Sequence, residues 1–219
     1  MYETEEEVTM KDLYVMGAGG FGREVMWLAE RINEVEPTWN LKGFLDDDVS
    51  LHGMVIDDYP VFGGLDYLKN TEGAYVSCAV GNAEIRKAII DRMAGFNVKP
   101  ATLIDPSVLM SKRVTVGEGS IICAGTIITV DVSIGKHVII NLDCTLGHDV
   151  EVADFVTMYP SVNISGCCRI GACTELGTGM QILQGLSIAP HTIVGASAAV
   201  VRNIEESGVY VGTPTKKIK

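Results

Sequence analysis

Two neighbouring titratable side chains interrupt an aliphatic stretch of this 219-residue chain. They are His148 and Asp149, within Asn141-Leu-Asp-Cys-Thr-Leu-Gly-His-Asp-Val150. An imidazole has an ordinary pKa of about 6.5, so it can take and return a proton near neutrality. A carboxylate beside it can fix the ring's tautomer and stabilise its cation. The pair can therefore serve as a general base with its orienting partner; as residues alone, they read equally well as two solvated turn side chains.

A second constellation lies near the start. Gly17-Ala-Gly-Gly-Phe-Gly22 follows the short apolar run Asp12-Leu-Tyr-Val-Met16 and precedes a segment in which Val25, Leu28, Ala29 and Ile32 share a helical face. Glycines between a strand and a helix let the backbone approach a pyrophosphate at the helix N-terminus, with Gly17, Gly19 and Gly20 as the candidates. Asp46 and Asp47 end a second strand, Leu41 to Leu45, where an acidic residue would meet a ribose or base. Asn82 follows a further strand, Tyr75 to Val80, at the same strand ends. Alone, these features suggest a dinucleotide enzyme. Only about ninety residues separate Lys11 from the six-residue repeat that sets in near Ile104, too few for a full dinucleotide fold with a catalytic domain. Strand, helix, strand, strand, helix over residues 11–100 instead predicts a small parallel α/β half-fold. A loop kept for tight packing is the competing account of the glycines.

The second half of the chain is the scaffold that must position both constellations. Every sixth residue from Ile104 to Val200 is aliphatic or methionine, through Ile122, Ile128, Leu146, Val152, Ile170, Ile182 and Ile188, with no insertion. The next residue is often small, as in Gly117, Gly135, Gly147, Gly171 and Gly177. A period of six without slippage predicts a parallel β-helix over residues 101–204, with the recurring aliphatic residue pointing to the axis and the small one permitting the corner. Three hexads make one triangular coil, so residues eighteen apart stack at about 4.8 Å. His148 and Asp149 follow the inward Leu146 and can face outward. His137 and His191 share one hexad place and read as surface residues; His52 falls in a loop. Residues 205–219 break the period. They are expected to cap one open end or reach a neighbour, with the α/β domain covering the other end.

Composition narrows the partners. The net charge of -11 offers no surplus of cations for nucleic acid or an anionic membrane surface. No run of about twenty uncharged apolar residues is present, so no membrane insertion is expected. The acidic start, Met1 to Glu7, is the reverse of a signal peptide and reads as a solvated tail. Six cysteines, Cys78, Cys123, Cys144, Cys167, Cys168 and Cys173, form no CxxC pair and point to reduced thiols in the cytoplasm. They are read as small buried apolar residues, and no metal is expected.

Taken together, these motifs resemble the sialic-acid O-acetyltransferase and UDP-4-amino-sugar N-acetyltransferase family of hexapeptide-repeat sugar acyltransferases. The resemblance rests on Gly17-Ala-Gly-Gly-Phe-Gly-Arg-Glu-Val25, Phe44-Leu-Asp-Asp47, Val80-Gly-Asn-Ala-Glu-Ile-Arg86, the hexad array and Gly208-Val-Tyr-Val-Gly-Thr-Pro-Thr-Lys216. It implies a left-handed β-helix, an exception to the right-handed crossover rule. It also implies a homotrimer with sites between adjacent β-helices, acetyl-CoA as donor, and a half-fold that binds the nucleotide of a UDP-sugar. By the same resemblance His148 is the general base, Asp149 its orienting partner, and Asn141 lies near the acceptor. Gly166, one coil above His148, is a candidate amide donor to the thioester carbonyl, or else an ordinary corner glycine. Lys216 and Lys217 are candidates for the phosphates of CoA, or else belong to a solvated tail. Two departures stand out: Thr157 replaces a second histidine of the family, and Gly147 stands where many relatives have a larger residue. The expected activity is acetyl transfer from acetyl-CoA to a nucleotide-linked amino sugar for bacterial surface glycans. The alternatives are sugar O-acetylation of the sialic-acid type and a non-catalytic trimeric binding protein.

Overall fold

The computed structural model describes residues 10–219; the acidic start, expected to be a solvated tail, lies outside the described residues. The chain opens with strand β1 (Lys11–Met16), whose Leu13, Tyr14, Val15 and Met16 are buried. Helix α1 (Gly20–Val35) comes next, burying Gly22, Val25, Met26, Leu28 and Ala29 on one face, as its apolar spacing requires. Strands β2 (Trp39–Leu45), β3 (Val55–Ile56), β4 (Tyr59–Pro60) and β5 (Tyr75–Cys78) succeed it, then helix α2 (Ala83–Arg92) and β6 (Lys99–Pro100). The main sheet runs β2-β1-β5-β6, and its pairings are all parallel. The C-terminal ends of β1, β2 and β5 therefore lie along one edge, which is where the glycine loop, Asp46-Asp47 and Gly81-Asn82 fall.

From Leu103 the chain winds as two-residue strands into three parallel sheets, each residue pairing with the one eighteen ahead. The first face carries Leu103–Ile104, Ile121–Ile122, Ile139–Ile140, Thr157–Met158, Glu175–Leu176 and Thr192–Val194. The second carries Leu109–Met110 through Ala199–Val200, and the third Thr115–Val116 through Ser187–Ile188. The inward hexad residues from Ile122 to Val200 are at most 4% exposed and form one continuous core. Ile104, Met110 and Val116 at the start of the coil are only half-buried.

The corner works differently from the sequence expectation. The left-handed backbone falls three residues after the inward position, at Asp131, Asp143, Asp149, Ser161, Cys167 and Cys173 among others, with φ of 55–60°. The small residue directly after the inward one is instead a point of close approach between coils. A Cβ on Gly147 would lie 2.6 Å from the amide nitrogen of Gly166.

In the tail, Gly208–Val211 adds to the first face beside Thr192–Val194. The α/β domain does not cover the opposite end of the coil. It lies along the first face, where Leu103, Ile121, Cys123 and Ile139 pack with Val25, Leu28 and Phe44 in one apolar cluster. Three outward residues of that face, Leu103, Ile121 and Ile139, are themselves aliphatic, so this part of the face needs a covering layer.

Candidate functional site

His148 and Asp149 stand at the corner between the second and third faces. Leu146 turns inward, Asp149 takes the left-handed corner at φ 58°, and His148 between them points out. Its Nδ1 lies 2.7 Å from Asp149 Oδ2. A carboxylate at Nδ1 favours the tautomer with its proton on that nitrogen, leaving the lone pair of Nε2 free to take a proton. The Nε2 edge rests against Gly166, where a Cβ would lie 2.5 Å from that nitrogen. Gly166 is thus the floor on which the ring sits. Its own N–H donates to no acceptor among the described residues, so it can serve a ligand carbonyl. The side chains of His148 and Asp149 are 50% and 59% exposed, so this corner alone cannot exclude water.

The same corner continues along the coil through Gly166, Gln184 and Arg202, each eighteen residues on. Three coil steps place Arg202 about 14 Å beyond His148. There a groove of about 200 Å³ is lined by Arg202, Asn203, Tyr210, Thr215 and Lys216. Lys216 and Arg202 are exposed beside it. Lys217 is otherwise engaged, 3.1 Å from Glu206 Oε2 and over the Tyr210 ring. Arg202 had a legible signal, the count of eighteen from His148. Cys167 lies one place past Gly166 in the same count: it is exposed, with Sγ 3.9 Å from His148 Nδ1. The other five cysteines are buried and all six are free.

The remaining candidates gather elsewhere, against the first face. Gly17 has φ +104° and Gly22 is so tightly packed that a Cβ would lie 1.9 Å from Gly17 O, so both shape the loop. Gly19 and Gly20 are different: a Cβ on either meets nothing within 4 Å. Gly19 caps α1 without a side-chain hydrogen bond, and no acidic residue occupies the first turn. The first N–H groups of a sixteen-residue helix therefore face open space with a positive dipole end. α2 contrasts with it. Asn82 Oδ1 accepts from the Ile85 amide, and Glu175 Oε1 accepts from the Ala83 amide at 3.1 Å and from Asn82 Nδ2 at 2.8 Å. Its N-terminus already holds a carboxylate, whereas that of α1 has no side-chain cap.

Asp46 and Asp47 both accept hydrogen bonds within the chain. Asp46 accepts from the Ala18 and Asp48 amides, tying the glycine loop to the end of β2. Asp47 accepts from the Leu65 amide and from Arg92 at 2.7 Å, and these bonds hold its carboxyl below the usual carboxylate range. Asn141 lies at the corner between the first and second faces, its Oδ1 accepting from the Leu142 amide. It is one corner away from His148. Thr157 is also remote from His148. It is 1% exposed on the first face and donates to Gly81 O at 2.6 Å. The position of the family's second histidine is here a bolt between the coil and the strand-end loop.

Three further residues complete this side, two of them invisible to sequence spacing. Glu175 reaches Asn82 across 93 residues, and Tyr159 donates to its Oε2 at 3.1 Å. Arg86 is 1% exposed and has no carboxylate partner in hydrogen-bond reach among the described residues. Its guanidinium donates to the carbonyls of His137, Val80, Gly81, Phe155 and Val156. Burial pushes it down to about 10, which leaves it charged at neutral pH. His137 is buried, contrary to the expectation of a surface residue. Its ring stacks on Phe155 at 5.1 Å, because corner residues eighteen apart lie directly above one another.

A coil of hexapeptides with an outward histidine-aspartate corner and an open helix N-terminus on an appended α/β domain defines a class of sugar acyltransferase architecture. Comparison with known proteins is concordant. Residues 12–93 match the family model described as the PglD N-terminal domain. The acetyltransferase domain of PglB from Neisseria gonorrhoeae FA1090 superposes with a TM-score of 0.88 at 30% identity, over 95% of this chain and 100% of that one. The same domain in complex with acetyl coenzyme A gives 0.87 at 28% identity, over 96% and 100%. GDP-perosamine N-acetyltransferase of Escherichia coli O157:H7 is 27% identical over 183 residues, 83% of this chain and 82% of that protein. The chain belongs to the hexapeptide-repeat sugar N-acetyltransferase family, with the left-handed β-helix of that group. It is an acyltransferase that takes acetyl-CoA as co-substrate.

Proposed function

We propose that the chain transfers the acetyl group of acetyl-CoA to the amine of a nucleotide-linked amino sugar, in a site shared between two copies of the chain. One observation carries this reading. The proposed base, His148, and the open N-terminus of α1 belong to different sides of one chain: the second-third corner and the first face. Only a neighbouring copy can bring a base to the acceptor side, and a closed ring of copies satisfies every chain equally, as in a homotrimer.

In this reading the N–H groups around Gly19 and Gly20 hold the nucleotide's phosphates. Gly81 and Asn82, fixed by Glu175 and Arg86, form the wall beside them. His148 Nε2 of the adjacent copy takes a proton from the neutral amine as its nitrogen adds to the thioester carbonyl. Asp149 stabilises the imidazolium. The Gly166 amide meets the developing oxyanion, where fixed donors are most effective. The imidazolium returns its proton to the departing thiolate of CoA. The pantetheine chain runs along the corner past Gln184, and its phosphates meet Arg202 and Lys216. Six free thiols and a role in building surface glycans fit a cytoplasmic enzyme.

The test is acetyl transfer to UDP- and GDP-linked amino sugars and to free sugars, read by mass spectrometry of the acceptor. Acetylation of a nucleotide-linked amine, lost in His148→Ala, is the expected result. Mixing inactive His148→Ala chains with inactive Gly19→Asp chains, after dissociation and reassembly, should restore part of the activity. Acetylation of a free sugar hydroxyl alone would move the glycine loop to a packing role. Lack of any complementation would refute the shared site.

A further inference from the structure

One cluster of metal-ligating side chains has no part in the acyl-transfer site. Cys173 and His191 occupy the same corner place on successive coils, between the third and first faces, each with φ 55°. Their backbones are held by bonds to Asp154 O and Ala172 O of the coil below. Glu84, in the first turn of α2, reaches across from the α/β domain. Its Oε1 lies 2.5 Å from His191 Nδ1. The sulfur, imidazole nitrogen and carboxylate oxygen all lie within 4.8 Å of one another.

We propose that Glu84, Cys173 and His191 form a divalent transition-metal site, of a kind suited to Zn²⁺, that staples α2 to the β-helix. The donor set is one thiolate, one imidazole and one carboxylate, which suits a borderline-soft ion and excludes a magnesium-type site. Two anionic donors neutralise its charge. Tetrahedral zinc bonds of about 2.0–2.3 Å need donors about 3.4–3.7 Å apart. The three atoms must shift by about 1 Å to reach that spacing, on coil residues fixed at a rigid corner and a helix α2 held by Arg86 and Glu175. The fourth position opens to water, since Glu84 and His191 are exposed while Cys173 is buried. Burial holds the Cys173 thiol above its ordinary range, so metal entry must expel its proton. From sequence no metal is expected, and Cys173 is read there with the other five cysteines as a small buried apolar residue. The fold supplies it with two partners from 18 and 89 residues away.

A second His-Asp-Cys group, His148, Asp149 and Cys167, could compete for the ion, and the test separates the two. The full-length protein is stripped with a chelator, and Zn²⁺ binding is measured by competition and elemental analysis. Co²⁺ is used in parallel for the near-ultraviolet thiolate charge-transfer band. One Zn²⁺ per chain is expected for the wild type and Cys167→Ser, and none for Cys173→Ser or His191→Asn. Zn²⁺ at a hundredfold excess over Kd should raise Tm by about 5–10 °C in the wild type and not in Cys173→Ser. His191→Asn, at an exposed position, keeps the test valid if Cys173→Ser folds poorly. No stoichiometric binding, or binding lost in Cys167→Ser and kept in Cys173→Ser, overturns the proposal. Acetyl transfer is not the readout, so this outcome is independent of the proposed activity.

Discussion

Two glycines in facing coils should respond to the same added methyl group in opposite ways. At Gly166, an alanine Cβ would lie 2.5 Å from His148 Nε2, 2.6 Å from Cε1 and 2.9 Å from Cδ2. Ordinary contact is about 3.5 Å, so the ring must retreat by about 1 Å. The obstruction is a half-exposed side chain, and the φ of Gly166 lies outside the left-handed region, so the fold can accept the methyl group. The base cannot: a misplacement of about 1 Å costs on the order of a hundredfold in rate, and outright loss of a general base about 10²–10⁴-fold. Gly166→Ala should therefore lower kcat about a hundredfold, with Tm nearly unchanged. At Gly147 the new Cβ would lie 2.6 Å from Gly166 N and 3.0 Å from Gly166 Cα and Ser165 C, all main-chain atoms of the next coil. Overpacking of that kind costs about 1–3 kcal/mol, or about 2–4 °C in Tm per kcal/mol at this size. Steady-state acetyl transfer and thermal melts on both variants are the assays. A folded Gly166→Ala enzyme with kcat within about twofold of wild type would refute the account of Gly166 as the floor beneath the base.

Thr157→Val removes the donor to Gly81 O and should cost about 1 kcal/mol in denaturant melts, with a weakened apparent affinity for the acceptor. Arg86→Met leaves five carbonyls at the seam without their shared cation and should destabilise by about 3 kcal/mol or more, the largest effect in this set. Burial and the neighbouring Arg86 lower the pKa of His137 in the folded chain. The unfolded chain then binds more protons just below the ordinary value of about 6.5, so stability is full above that pH and falls as pH drops towards the folded value. Melts at pH 7.5 and 5.5 should show a smaller acid-side loss of Tm in His137→Phe than in the wild type.

The hexad register was fully legible in the sequence because it is local. An inward aliphatic residue at each sixth place is dictated by the coil itself, so periodicity alone located the core from Ile122 to Val200. The outward placement of His148-Asp149 and the stacking of Gly166 came from the same count. That count also reaches Arg202 and sets Cys173 one coil below His191. The glycine loop was legible as a strand-to-helix turn. Which glycines shape it (Gly17 and Gly22) and which face open space (Gly19 and Gly20) was not, since that depends on atoms of Phe44 in β2 and of Ala79 and Val80 just past β5.

Tertiary structure decided everything that crosses between the two halves. Asp46 and Asp47 had the sequence position of ribose ligands; nearby amides and Arg92 donate to their oxygens. His137 was placed at the surface by its hexad position, but the α/β domain covers that corner and Arg86 binds its carbonyl. Glu175 fills the N-terminus of α2 from 92 residues away, whereas that of α1 has no side-chain cap. Such pairings carry no period, because they arise where the aliphatic part of an outer face draws the second domain out of water. The sequence by itself thus determined the coil and the side chains on its corners; only the packing of one half on the other determined which of those side chains remain free to act.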